Sequence, residues 1–198
     1  MAIGAGASAL GLVARMPSGP GPIPDELIRR IAMNIPPPIV SFLLTCETTA
    51  DAIVAHHHRT LTHTIQMVDA LVEGTYRNIR QALPVVELVQ VIHVTGPASV
   101  DEALRVAPYV DAILLDSGNP HAVVKELGGT GRIHNWRLSR EIVEKSGVPV
   151  FLAGGLHAGN VKRAIEEVGP FGVDLCSGVR TEGRLDPYKL EAFFKAID

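Results

Sequence analysis

The sequence predicts an α/β protein built as a (β/α) TIM-type barrel, with the first strand missing from the chain. Three observations carry this fold class. Apolar runs rich in Val, Ile and Leu recur along the whole chain, helix-patterned segments separate them, and the late runs end in polar or glycine-rich turns. Apolar runs of this kind read as strands covered on both faces. Strands alternating with helices imply a parallel sheet with helices outside.

Residues 1 to 8, rich in Ala and Gly, read as the tail of a helix stopped by glycine. The strands then follow as Ala9–Ala14, Ile39–Thr45, Thr64–Val68, Glu87–Val94, Ala112–Ser117, Val148–Ala153 and Gly172–Cys176. The helices between and after them are Asp25–Asn34, Thr49–His57, Tyr76–Leu83, Ala98–Ala107, Arg137–Ser146, Asn160–Val168 and Asp186–Ala196. Two segments are loops at the C-terminal ends of strands: Met16-Pro-Ser-Gly-Pro-Gly-Pro-Ile-Pro24, and the long connection from Gly118 to Trp136.

Seven strands are each followed by a helix, and a helix stub precedes the first. Since βα units begin with a strand, an eight-stranded barrel lacking its first strand is the simplest account. Leaving out a barrel strand would expose two sheet edges that barrels eliminate. This favours a Met1 internal to a longer native chain, and an exposed edge predicts association between copies. The alternative fold is an open doubly wound sheet. Such a sheet carries a glycine fingerprint in its first βα turn, whereas no GxGxxG follows the first strand here and the glycine-rich turns come late.

With 198 residues and 46% hydrophobic content, one substantial core and a single domain over 1–198 are expected. A net charge of -3, with both signs mixed along the length, leaves no basic stripe, so neither nucleic acid nor an anionic membrane is expected as a partner. No run approaches the roughly 18 apolar residues of a membrane span. The apolar start lacks a positive leading region, so a signal peptide is not expected either. Cys46 and Cys176 are too few for a disulfide framework and lie in apolar, strand-like contexts, which points to the cytoplasm.

Asp116 ends an otherwise wholly apolar strand, which places its carboxyl at the barrel mouth, either as a general acid or as a helix or loop cap. Asp174, in the last strand, reads as a substrate-binding helper or a structural hydrogen-bonding group. Gly154-Gly155 and Ser177-Gly178 follow the last two strands, where small residues let backbone N–H groups approach a phosphate. The Gly128-Gly-Thr-Gly131 turn, through Gly129 and Gly131, is placed to close the same site. Together these turns point to a phosphorylated small molecule.

Cys176 reads as a buried core thiol. Cys46, at the C-terminal end of its strand, is a candidate base or nucleophile if a cationic neighbour lowers its pKa. His56-His57-His58 with His63 suggest a metal, but consecutive residues point around a helix and no ligand set is completed, so a solvated helix end is the better reading. No metal is expected. Trp136 is read as packing a helix start.

Ile113-Leu-Leu-Asp-Ser117, Gly128-Gly-Thr-Gly131 followed by Trp136, Phe151-Leu-Ala-Gly-Gly-Leu156 with Asn160-Val161 and Ala164-Ile165, and Pro170-Phe-Gly-Val-Asp-Leu175 with Ser177-Gly-Val179 together resemble the phosphoribosylanthranilate isomerase family of tryptophan biosynthesis. The resemblance is strong from about residue 111 to 197 and weaker but continuous before that. It implies a barrel without cofactor or metal that converts an aminoaldose phosphate into an aminoketose phosphate. It further implies Asp116 as the acid, Asp174 as a substrate contact, and Gly154, Gly155, Ser177 and Gly178 as the phosphate turns.

The departures are equally specific. The family's base cysteine lies in a Lys-Ile-Cys-Gly-like first strand with no counterpart here, so the base is either a cysteine upstream in a longer native chain or, as a substitute in this chain, Cys46. Pro17-Ser-Gly-Pro-Gly-Pro22 stands where the family has an arginine for the anthranilate carboxylate. Met67-Val-Asp69 replaces Leu-His-Gly, and Cys176-Ser-Gly-Val-Arg180 replaces Ser-Ser-Gly-Val-Glu. A divergent phosphosugar-binding or inactive relative is the alternative function.

Overall fold

The computed structural model describes residues 1–197 except 18, 20, 72–74, 120, 121, 123, 124 and 128–130. Seven strands form its sheet: β1 Ala9–Val13, β2 Val40–Thr45, β3 Thr64–Met67, β4 Glu87–His93, β5 Ala112–Asp116, β6 Val150–Leu152 and β7 Gly172–Val173. Seven α-helices follow them in turn: α1 Asp25–Ala32, α2 Ala50–Thr60, α3 Tyr76–Ala82, α4 Ala98–Val106, α5 Trp136–Lys145, α6 Val161–Val168 and α7 Pro187–Ile197. The strands are parallel and their order in the sheet is their order in the chain. A doubly wound sheet must reverse direction partway. The sequential order therefore excludes that alternative.

The sheet curls as a barrel wall does. Phe42 of β2 and Phe151 of β6 meet edge to face with centroids 6.3 Å apart, although four strand spacings separate them. In a flat sheet that separation would be about 19 Å. The interior of the curl is filled by Val89 and Val91 of β4, Ala112 and Leu114 of β5, and Phe42, Leu44 and Phe151. The alternate residues Leu88, Ile92, Ile113, Leu115 and Leu152 face outward and are fully buried with helix residues such as Ile53, Ile79, Ile142 and Ala164. Burial on both faces is why these strands carry apolar runs without a polar alternation.

Strand alternation also decides what reaches the mouth. The inward positions of β4 and β5 continue to His93 and Asp116, which are register neighbours at the C-terminal ends of the two strands.

Several details differ from the sequence reading. The last strand stops at Val173, so Asp174 lies just beyond it and Cys176 is outside the sheet, where the chain tightens into a 3₁₀ turn over Ser177–Val179. A short antiparallel hairpin, β8 Arg180–Thr181 and β9 Arg184–Leu185, precedes α7. Its two turn residues, Glu182 and Gly183, have φ of 50° and 76°, as a type I′ hairpin turn requires. At the other end, residues Ile3–Ala5 form one 3₁₀ turn closed by Gly6 at φ 114°, the expected glycine stop.

The histidine run is a solvated helix end only at His58, which is exposed. His56 and His57 are 5% and 6% exposed. His56 bonds Thr45 Oγ1 through Nδ1 at 2.8 Å and Asp25 through Nε2 at 3.2 Å, while His57 Nε2 donates to the Thr62 carbonyl at 2.8 Å. Successive residues diverge around the helix, so His56 and His57 each find their own partner while His58 is exposed. The Asp25–His56–Thr45 chain ties α1, α2 and β2 together. Replacing Thr45 by Val leaves His56 Nδ1 buried without its partner, an expected loss of about 1–3 kcal/mol in urea unfolding; a change below about 0.5 kcal/mol contradicts this. Trp136 behaves as expected, starting α5 at 6% exposure under the Arg163 guanidinium, 5.0 Å from the ring centroid. Among the described residues, no helix is long and apolar enough to cross a membrane.

Candidate active site

A recess opens at the C-terminal ends of β5, β6 and β7, lined by Asp116, Gly131, Gly154, Gly155, Asp174 and Ser177. A larger cavity of about 410 Å³ lies between the Ile3–Ala5 turn and α7, lined by Gly4, Phe194 and the Glu191–Lys195 ion pair among others. It opens beside the chain start. The C-terminal strand ends, where folds of this kind do their chemistry, belong to the smaller recess.

Asp116 is 7% exposed and accepts the Ser117 N–H at 2.7 Å. Burial pushes its carboxyl above the ordinary carboxylate range, which favours the neutral, proton-donating form. Asp174 is exposed to the water of the recess, with protein crowded around the recess wall. The partial desolvation this crowding causes, then the charge of Asp116, push its pKa up to about 6. The sequence reading placed both carboxyls at this mouth, and the structure brings them together.

The two glycine turns interlock. Gly154 and Gly155 have φ of 84° and 63°, and a Cβ on Gly155 would lie 2.8 Å from the Arg132 carbonyl. Gly178 runs so close to the Leu156 carbonyl that any Cβ there would overlap the oxygen. The Asn160 side chain donates to the Gly155 carbonyl at 2.9 Å and accepts the His157 N–H at 2.8 Å, which anchors the first turn to the start of α6. Gly131 borders the same recess, while Gly129 lies outside the described residues.

Cys176 is half-buried and lines the recess, a correction to its reading as a core thiol. The cause is the early end of β7, which releases Cys176 from the sheet. Cys46 follows β2 and its thiol donates to the Arg15 carbonyl at 3.2 Å. Burial, then the charge of Glu47, push its pKa up. After β5, Lys125 pairs with Asp69, and Arg132 pairs with Glu126. His134 bonds Ser139 Oγ at 2.8 Å, and burial pushes its pKa down to about 4, so the ring is neutral at neutral pH. Among the described residues no group of three or more His, Cys, Asp or Glu is placed to hold a metal.

The family model for N-(5'-phosphoribosyl)anthranilate (PRA) isomerase matches residues 45–196. The chain belongs to this family. An N-(5'-phosphoribosyl)anthranilate isomerase of Methanocella arvoryzae is 32% identical over 185 residues, covering 93% of this chain and 84% of the relative. A Methanosarcina mazei relative, N-(5'-phosphoribosyl)anthranilate isomerase 2, is 33% identical over 195 residues, with 98% and 85% covered. Among solved structures, the phosphoribosyl anthranilate isomerase of Thermotoga maritima superposes with a TM-score of 0.79 at 25% identity over 99% of this chain and 90% of the other. The Pyrococcus furiosus enzyme gives 0.74 at 26% identity, with 96% and 88% covered. A structure described as native KDPGal also superposes, with a TM-score of 0.66 at 17% identity over 98% of this chain and 84% of that one. The barrel alone therefore does not single out this family; the sequence match does.

Within this phosphoribosylanthranilate isomerase frame, His93 is the mouth residue that sequence reasoning missed. Its Nε2 donates to the Val68 carbonyl at 2.9 Å, and its Nδ1 is buried with no hydrogen-bond partner among the described residues. The same inward alternation that singled out Asp116 ends the β4 run on His93, and that signal was available.

Asp174 yields a pH prediction. Its pKa of about 6 lies above the ordinary 3.8, so the folded protein holds this proton more tightly than the unfolded chain. Ionisation of Asp174 therefore destabilises the fold above about pH 6, and the penalty vanishes below about pH 4. Asp174→Asn is expected to raise stability by about 1 kcal/mol at pH 7.5, allowing for water screening at the open side chain, with no gain at pH 4. Urea unfolding at both pH values checks this, and an equal gain at both contradicts it.

Proposed function

We propose that this chain isomerises N-(5'-phosphoribosyl)anthranilate to the corresponding 1-deoxyribulose phosphate ketose, the aldose-to-ketose step of tryptophan biosynthesis. The observation that carries the reading is a single juxtaposition. Asp116, a buried carboxyl with a raised pKa, borders a recess walled by the interlocked glycine turns.

The chemistry fits these groups. A general acid must protonate the furanose ring oxygen so that the C1–O bond opens to a Schiff base. A base then removes the C2 proton, and the enolamine tautomerises to the ketose. Asp116 supplies the first proton. The substrate phosphate binds in the turns of Gly154, Gly155, Ser177 and Gly178, with Gly129 and Gly131 closing over it and Asp174 contacting the sugar. Ring opening breaks the C1–O bond as the amine lone pair forms the C=N bond, the later steps are proton transfers, and none calls for a cofactor. The protein acts as one barrel domain over 1–198 in the cytoplasm, and its edge strands favour self-association.

Cys46 is the base candidate within this chain. Its thiol is pushed up in pKa, so proton removal through it speeds up as pH rises toward the alkaline range. The same shift favours a second reading, a phosphosugar-binding relative that turns over little at neutral pH. Turnover of N-(5'-phosphoribosyl)anthranilate between pH 6 and 9.5 by the native protein and by Cys46→Ala separates the two. Activity that climbs with pH and is lost in Cys46→Ala supports isomerisation through Cys46. Tight binding of the reduced product analogue with no turnover at any pH supports the binding reading.

A further inference from the structure

We propose that Arg180 receives the carboxylate on the aryl ring of the substrate, an assignment that rests on the reading above. An anthranilate-bearing phosphosugar has two anionic ends, the phosphate and the ring carboxylate. The glycine turns between β5, β6 and β7 suit the first. The second needs a cation at the mouth but away from those turns.

Arg180 lies where that cation is needed. It follows the Ser177–Val179 turn, and its side chain reaches across to the loop after β1, at the other edge of the sheet. Nη2 stands 3.8 Å from the position a Cβ on Gly21 would occupy. Nη1 donates to the Gly183 carbonyl at 2.7 Å, and Lys189 Nζ donates to the Arg180 carbonyl at 2.8 Å. The hairpin turn thus orients the guanidinium before any ligand arrives. One N–H is used in this way, and the planar fork keeps further donors for a carboxylate.

Gly21 faces it without a side chain, and the sequence from Pro17 to Pro22 carries no charge. An aryl ring can therefore lie against Gly21 with its carboxylate toward Arg180. Two other cations near the mouth are committed to acids, Lys125 to Asp69 and Arg132 to Glu126. Arg15, exposed at the end of β1 beside Cys46, is the competing candidate and enters the test.

The test is calorimetric titration with two inert ligands, reduced 1-(o-carboxyphenylamino)-1-deoxyribulose 5-phosphate and the same compound without its ring carboxyl. The native protein is expected to prefer the carboxylated ligand by at least about tenfold. Arg180→Ala is expected to weaken that ligand about ten- to hundredfold, the range of a charged hydrogen-bonded pair, while the decarboxylated ligand changes less than about twofold. Arg180→Lys falls between, and guards against an Arg180→Ala protein that does not fold. An unchanged preference in Arg180→Ala, equal weakening of both ligands, or loss of the preference in Arg15→Ala instead overturns the assignment and leaves the proposed function standing. Binding of neither ligand to the native protein overturns both.

Discussion

Replacing Asp116 by Asn is expected to lower kcat/KM for N-(5'-phosphoribosyl)anthranilate by about a thousandfold, within the range for loss of a general acid. Affinity for the reduced product analogue should stay within about threefold. The division follows from placement. Asp116 ends β5 with its carboxyl facing inward, nearly buried, and biased by burial toward the protonated form. An amide of the same shape keeps the acceptor for the Ser117 N–H and cannot deliver a proton. The ring-opening step is then lost while ground-state binding survives, so kcat falls and KM moves little. If affinity for the reduced product analogue falls together with kcat/KM, Asp116 is holding the substrate rather than protonating it.

Gly178→Ala is the second large effect. Its added methyl would overlap the Leu156 carbonyl oxygen, a backbone atom that cannot rotate away. Relief requires the Ser177–Val179 turn to separate from the turn after β6. We expect a stability loss of about 1–3 kcal/mol, typical of overpacking, together with a rise of about tenfold or more in the KM of a phosphorylated substrate. Thermal unfolding with and without inorganic phosphate reads both, since bound anion stabilises only the protein that binds it. The native protein should gain stability from phosphate and the variant should gain much less. Gly147, where an added Cβ would meet nothing within 4 Å but φ is 71°, is the matched control. Its substitution strains the backbone alone and leaves the phosphate response intact.

Much of this was legible because βα units write their geometry into short runs. A charge ending an apolar strand is conspicuous, and Asp116 is the single acid in Ala112–Asp116. Paired small residues after β6 and β7 marked the recess for the same reason. What was hidden depends on partners far apart in the chain. His56 is buried because Asp25 and Thr45 meet it from two other elements, and nothing in the three consecutive histidines announces that. The hairpin at Arg180–Leu185 has two-residue strands, too short for any hydrophobic period to show. Gly178 is required by a carbonyl on a neighbouring turn, and Arg180 meets a loop from the opposite end of the chain. Periodicity reports which face a residue takes, and packing between loops lies beyond its reach.

Proton NMR of the phosphoribosyl amine mixed with the purified protein follows isomerisation at this mouth itself. The anomeric C1 proton signal is expected to disappear as C1 methylene signals of the ketose grow, at a rate proportional to protein and about a thousandfold lower with Asp116→Asn. An anomeric signal that decays only into free anthranilate and ribose 5-phosphate, at the rate seen in buffer alone, contradicts it.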